Sequence, residues 1–271
     1  MTDMQRIERE MLAELIGICQ QLKLRYYLVC GSALGAVKYG GFIPWDDDID
    51  IALPREDYTR LLAEAPGLLP EPLFLQTYRS DPAFPHSYSK LRHSGTTCIE
   101  ENARHLPVHH GIALDIFPLD GYPQSKTAQW GLELGKKWYA HLLGSAFAEP
   151  EGLRCRMEYR LKRLLGLHRR SQRYAEKLEK LIARYPTDTA EVWCNHGNWQ
   201  GKLEYMPRDW FGHGREAQFE GLKVVLPENT QAYLTQKYGD YRNDPPKEQQ
   251  KSHHRYVVVD CRRPYTAYWP R

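Results

Sequence analysis

The sequence, 271 residues long, contains no apolar run near the roughly 20 residues that a bilayer-spanning helix needs, so a transmembrane chain is not expected. Met1 to Glu10 are charged and lack the apolar stretch of a secretory leader. The expected location is therefore the cytoplasm, with at most a contact on the inner face of a membrane. Six cysteines (Cys19, Cys30, Cys98, Cys155, Cys194, Cys261) form no C-x-x-C pair. That spacing argues against a structural zinc site and for buried thiols. Lys and Arg exceed Asp and Glu by only +3, which by itself argues for no charged partner. There is no internal repeat and no low-complexity segment, and 42% apolar with 26% charged residues excludes disorder. The chain is long enough to bury a core without disulfide staples.

Aromatic residues are plentiful at 12%. The order of elements is also informative. Ile7, Met11, Leu15, Ile18 and Leu22 recur at helical spacing over residues 3–22, behind Asp3 as a candidate cap. Tyr26–Cys30 reads as a buried strand ending at Gly31-Ser32, and Ala33–Lys38 as a short helix stopped by Gly40-Gly41. Ile49–Leu53 reads as a second strand closed by Pro54. Glu56–Ala65 follows as a helix, with Tyr58, Leu61 and Leu62 inward. Tyr88–Arg92 and Ile112–Phe117 are further strands. This order describes a mixed α/β (α+β) core over residues 1–125. Residues 126–190 read as a helical, basic insertion. Within 151–185, eleven Lys or Arg face four Glu, an excess of +7, leaving the rest of the chain at −4. Leu153, Met157, Leu161 and Leu165 make that stretch a basic amphipathic hairpin. Its charge suits a solvated face or anionic lipid headgroups better than nucleic acid, for which no module is present. Residues 191–271, rich in Trp, Tyr, Gly and Pro with short strands such as Leu222–Leu226, are expected to pack on the core and complete a substrate site.

The most informative segment is Pro44-Trp45-Asp46-Asp47-Asp48-Ile49-Asp50-Ile51. If it is a strand, Asp46, Asp48 and Asp50 share one face while Ile49 and Ile51 point to the core. Carboxylates converging on one face suit a hard divalent cation, Mg²⁺ or Mn²⁺. Gly111–Phe117 carries a single acid, Asp115, inside an apolar strand, where an unpaired carboxylate is costly. Asp115 therefore faces the same site or an arginine. Asp120 reads as a turn or cap residue. Gly31-Ser32, before a helix, offers backbone N–H groups to a phosphate. Lys90 and Arg92 alternate onto one strand face and suit two phosphate contacts.

The strings Gly31-Ser32-Ala33-Leu34-Gly35-Ala36-Val37-Lys38 and Gly41-Phe42-Ile43-Pro44-Trp45-Asp46-Asp47-Asp48-Ile49-Asp50-Ile51 closely resemble the LicD family of phosphocholine transferases, itself similar to fukutin-type ribitol-phosphate enzymes. Lys90-Leu91-Arg92 with Thr96-Thr97, Leu114–Asp120, Tyr238–Tyr241, Pro245-Pro246 and His253-His254 extend the resemblance over roughly residues 25–255. It implies a nucleotidyltransferase-like mixed sheet flanked by helices. It also implies Mg²⁺-dependent transfer of phosphocholine from CDP-choline, or of another CDP-linked alcohol, to a sugar hydroxyl on a glycan or lipid-linked precursor, with release of CMP. Asp48 and Asp50 would hold the metal, with Asp115 completing its shell or acting as base and Asp46 holding a second ion. Gly31, Ser32, Lys38, Lys90, Arg92, His253 and His254 would contact substrate or phosphate; many relatives carry Arg where this chain has Lys38. A quaternary ammonium calls for aromatic walls, for which Trp45 and Tyr241 lead a group that includes Trp193, Trp199, Tyr205, Trp210 and Tyr238. The rival readings are a nucleotidyltransferase adding NMP to a small molecule, a ribitol- or glycerol-phosphate transferase, and a non-catalytic carbohydrate-binding relative.

Overall fold

The computed structural model describes residues 1–146, 152–197, 201–252 and 254–268. The elements run α1 (Asp3–Gln21), β1 (Tyr27–Leu28), α2 (Cys30–Tyr39), β2 (Asp50–Pro54), α3 (Arg55–Glu64), β3 (Leu73–Gln76), β4 (Ser89–His93), β5 (Thr97–Glu100) and β6 (Ile112–Tyr122). Then come α4 (Lys126–Leu143), α5 (Leu153–Leu164), α6 (Ser171–Ile182), β7 (Val192–Cys194), β8 (Tyr205–Pro207), β9 (Arg215–Phe219), β10 (Leu222–Leu226), α7 (Thr230–Tyr238) and β11 (Tyr256–Asp260).

A mixed sheet organises the core in the order β1-β2-β6-β4-β3, with β7 on the far end of β6 and β8 beyond it. Only β2 and β6 run parallel, pairing Asp50 with Asp115 and continuing through Pro54 and Leu119. Every residue of β2 is buried, as expected of a strand covered on both faces. α1 begins at a capping box in which Thr2 and Gln5 satisfy each other's backbone N–H groups. Its inward face carries Met4, Met11, Leu12 and Leu15 to the core. Gly35 has no side chain because a Cβ there would lie 2.3 Å from the Gly41 carbonyl oxygen. The loop after α2 is thereby folded tightly back on the helix.

Several expectations need correction. The first strand spans only Tyr27–Leu28, because Cys30 takes a left-handed conformation (φ 51) and the helix starts there. Gly31 and Ser32 thus lie in the first turn of α2. Residues 46–49 are not strand: β2 begins at Asp50, so the face-sharing argument does not apply to Asp46 and Asp48. Asp120 is no turn residue. It lies fully buried in β6, where both its oxygens receive Arg55 at 2.6 and 2.8 Å. The basic stretch does fold into helices, but no residue of α5 is buried.

Candidate active site

Four carboxylates gather where β2 and β6 meet the loop leading into β2. Asp50 opens β2, and its backbone N–H donates to the Ser32 hydroxyl at 2.8 Å. Its carbonyl accepts from the Val29 N–H at 3.1 Å, while Ile49 accepts from the Asp115 N–H at 2.9 Å. The first turn of α2 and both parallel strands therefore fix one short segment. Asp46 lies over Gly31: a Cβ on that glycine would sit 2.5 Å from Asp46 Oδ2. On the other side, the Gln5 amide of α1 donates to the Asp46 carbonyl at 2.9 Å.

The cluster is electrostatically tense. Burial raises Asp46 to about 7, helped by the adjacent Asp48. Burial also holds Asp50 well above the carboxylate range, with Asp48 and Asp115 adding to it. Burial raises Asp115 too, opposed by Lys90, whose Nζ lies 2.8 Å from Asp115 Oδ1 and 3.7 Å from Glu100. For Asp48, burial favours the neutral form. The hydrogen bond from His254 Nε2 at 3.1 Å, the charge of that imidazole, a hydrogen bond with Asp46 and the charge of Lys90 together outweigh it and hold the group low. The bond to Asp48 lifts His254 to about 9, so the imidazole is cationic at neutral pH. β11 pairs antiparallel with β5 and brings this segment across the acidic loop; Ser252 donates to Asp47 at 2.8 Å.

Among the described residues no three His, Cys, Asp or Glu side chains are placed so that together they could hold a metal ion. The cluster offers carboxylate oxygens that repel one another and lie about the start of the interior strand β2, the donor type that a hard cation takes. Glu8 adds to this. It is fully buried on α1, and neither carboxylate oxygen has a hydrogen-bond partner. Burial raises it strongly, and Asp48, Asp47 and Asp46 raise it further. Sequence reasoning missed Glu8, although an acid four residues from both Met4 and Leu12 on a buried helix face was a readable signal. It also missed Glu100, which Lys90 draws down to about 2.

The structure does not bring every expected residue to this place. Lys38 stands at the far end of α2 from Gly31, about 10 Å along the axis at 1.5 Å per residue. It pairs there with Asp244 at 2.5 Å. Arg92 is 6% exposed, and its guanidinium is committed to the Gln76 side chain at 2.7 Å and the Gly111 carbonyl at 2.8 Å. These bonds tie β4 to β3 and to the residue before β6. The Ser32 hydroxyl oxygen is likewise engaged in fixing β2. Trp45 stands half-buried next to the acidic loop, edge-on to Tyr39 at 6.3 Å. Tyr241 packs against the core beneath Arg242, at 5.7 Å. Burial raises the Tyr238 phenol, and Asp50 and Asp46 add to the shift, which puts Tyr238 near the carboxylates. Trp193 is core, its indole N–H bound to the Thr187 carbonyl at 2.9 Å. Tyr205 is tied to Glu133 and Lys136 of α4. His253 and Trp199 lie outside the described residues.

Below Gly31, Lys237 of α7 is completely buried against Glu204, with its Nζ 3.3 Å from Cys30 Sγ. Burial disfavours the ammonium, but the neighbouring Cys30 and Glu204 outweigh it and raise its pKa.

The acidic cluster thus sits at the start of a parallel strand pair, next to a helix that begins Cys30-Gly31-Ser32. The model of the LicD/FKTN/FKRP nucleotidyltransferase domain matches residues 23–140. The lipopolysaccharide cholinephosphotransferase LicD of Haemophilus influenzae is 30% identical over 247 residues, 88% of this chain and 89% of that protein. The ribitol 5-phosphate transferase FKRP of mouse and of human is 40% identical over 52 residues, 19% of this chain and 10% of each relative. The chain belongs to the LicD family. No helix among the described residues is long and apolar enough to cross a membrane.

Proposed function

We propose that the protein transfers phosphocholine from CDP-choline to a sugar hydroxyl of a cell-surface glycan or its lipid-linked precursor, releasing CMP, with Mg²⁺ or Mn²⁺ as cofactor. Membership of the LicD family makes the chain a phosphotransferase. The donor, acceptor and metal are our reading, and the convergence of Asp46, Asp48, Asp50 and Asp115 carries it. Asp48 and Asp50 would hold the cation, with Asp115 beside them and Asp46 available to a second ion. A bound divalent cation neutralises charge on the diphosphate and on the departing CMP.

The chain's own residues supply the rest. Lys90 holds Asp115 in place and keeps a positive charge 2.8 Å from it. His254 fixes Asp48 and sets a second cationic group at the mouth. The Cys30 N–H is taken by the Tyr233 hydroxyl at 2.9 Å, so the Gly31 and Ser32 N–H groups and the positive end of the α2 dipole are what the helix start would offer a phosphate. Trp45 with Tyr39 edge-on to it, and Tyr256 stacked on His254 at 5.8 Å, are aromatic surfaces beside the acidic loop, suited to a quaternary ammonium.

The test is a donor screen read by CMP release. The purified chain, a glycan acceptor fraction and Mg²⁺ should yield CMP from CDP-choline and none after chelation, with no pyrophosphate from any NTP. CMP from CDP-ribitol or CDP-glycerol alone would move the chain to polyol-phosphate transfer. Pyrophosphate release from an NTP would replace the proposal with nucleotidyl transfer. No product from any donor would leave a glycan-binding protein.

A further inference from the structure

Helix α5 has no inside. Leu153, Met157, Leu161, Leu164 and Leu165 are 79%, 64%, 55%, 84% and 64% exposed. At 100° per residue they form a single stripe about 120° wide. A helix of 12 residues is marginal in water without a partner for its apolar face. The preceding helix repeats the pattern. Trp130, Leu134 and Trp138 on α4 are 70%, 54% and 59% exposed, at i, i+4 and i+8 on one face.

The two stripes belong to joined helices. Lys162 of α5 donates to the His141 carbonyl at 2.9 Å, and Glu158 lies 3.4 Å from the His141 ring. His141 is one turn past Trp138 and stacks with it at 6.4 Å. Lys137 of α4, Arg154 of α5, and Arg169 and Arg170 in the turn after α5 are all exposed. The +7 excess of residues 151–185 stands against −4 for the remainder. That charge selects the occupant. A symmetric contact with a second copy would set one strongly cationic face against another. Anionic headgroups neutralise it, while Trp side chains settle at the headgroup level and Leu and Met reach the acyl boundary.

We propose that α4 and α5 form a docking face for a membrane surface rich in anionic lipid. The face is separate from the acidic cluster and requires nothing of the catalytic reading. The whole chain is sedimented with vesicles of phosphatidylcholine alone or of phosphatidylcholine with phosphatidylglycerol. It should pellet with the anionic vesicles at low salt, and far less as salt shortens the Debye length from about 10 Å at 0.1 M to about 3 Å at 1 M. Each charge removed in Arg154→Gln, Arg169→Gln and Arg170→Gln should weaken binding about fivefold. The double variant Trp130→Ser/Trp138→Ser should lose binding while keeping the unmodified protein's circular dichroism and melting temperature, since both rings are exposed. Equal binding to neutral vesicles would overturn the proposal. So would a chain that stays in the supernatant as a monomer. A supernatant protein that runs as a dimer, and as a monomer once Met157→Asp/Leu161→Asp is introduced, would reassign the face to self-association.

Discussion

Replacing Asp120 with alanine leaves the Arg55 guanidinium buried without its principal partner. The two side chains are 9% and 0% exposed and meet through two parallel bonds of 2.6 and 2.8 Å. Glu179 of α6 offers the arginine only one longer contact, at 3.4 Å. Breaking a buried, doubly bonded pair from one side is worth about 3–5 kcal/mol, because one charge is left desolvated and unpaired. Removing both charges differs. Arg55→Met/Asp120→Leu refills much of the volume with apolar atoms and should regain most of the loss, though not the contact of Arg55 with the Tyr58 ring at 5.2 Å. Urea unfolding followed by circular dichroism reads both variants as midpoint shifts at unchanged slope. A loss for Asp120→Ala under about 1 kcal/mol, the range of exposed pairs, would refute the reasoning. So would a double variant no more stable than the single one.

Asp50→Asn should abolish transfer yet leave the metal-free melting temperature unchanged or higher, since it relieves repulsion among close carboxylates. Asp48→Asn should abolish transfer and lower that temperature, since the cationic His254 loses its partner; calorimetry beside the CMP assay checks both. Arg92→Ala should chiefly destabilise, by about 1.5–3 kcal/mol for each charge-assisted bond lost, and leave the donor KM of the folded fraction near its original value. Lys90→Met should lower kcat as well as stability, since Asp115 and Glu100 lose their shared cation; steady-state kinetics with unchanged kcat would count against the positioning role. His109 is held near 3 by burial, with Arg92 adding to it, and its Nδ1 accepts the Gly111 N–H at 3.1 Å. The unfolded imidazole takes up a proton below about 6.5 and the folded one does not. Stability should therefore be lost as pH is lowered from about 6.5 toward 3, by up to about 1.4 kcal/mol per pH unit, and urea midpoints across that range should show a shallower slope for His109→Asn.

Much of the site was legible because its residues sit where their chemistry is out of place. Asp115 is an acid in an apolar strand, and Asp46, Asp48 and Asp50 are crowded beside Ile49 and Ile51. The strand expected through Asp46–Ile49 failed for a local reason: Pro44 and four close carboxylates resist extended pairing, and the ladder starts only at Asp50, where β6 can pair with it. Other failures needed tertiary information. Nothing in Asp120 announces an arginine 65 residues away, and Arg92 looks like a ligand contact until Gln76 and Gly111 are placed around it. His254, one of a histidine pair with little to distinguish it from surface structure, gains meaning only because β11 pairs with β5. The i, i+4 leucines of α5 predicted a helix correctly, but periodicity does not say what an apolar stripe faces.

The hydrogen bond between His254 and Asp48 joins residues 206 apart in the chain. During synthesis at about 5–20 residues per second, the acidic loop leaves the ribosome roughly 10–40 s before the imidazole that neutralises part of it. A nascent chain can pair β2 with β6 in that interval, but its carboxylates then face one another without this counter-charge. Salt screens repulsion of that kind, so ionic strength around the ribosome becomes a variable in how well the newly made protein folds.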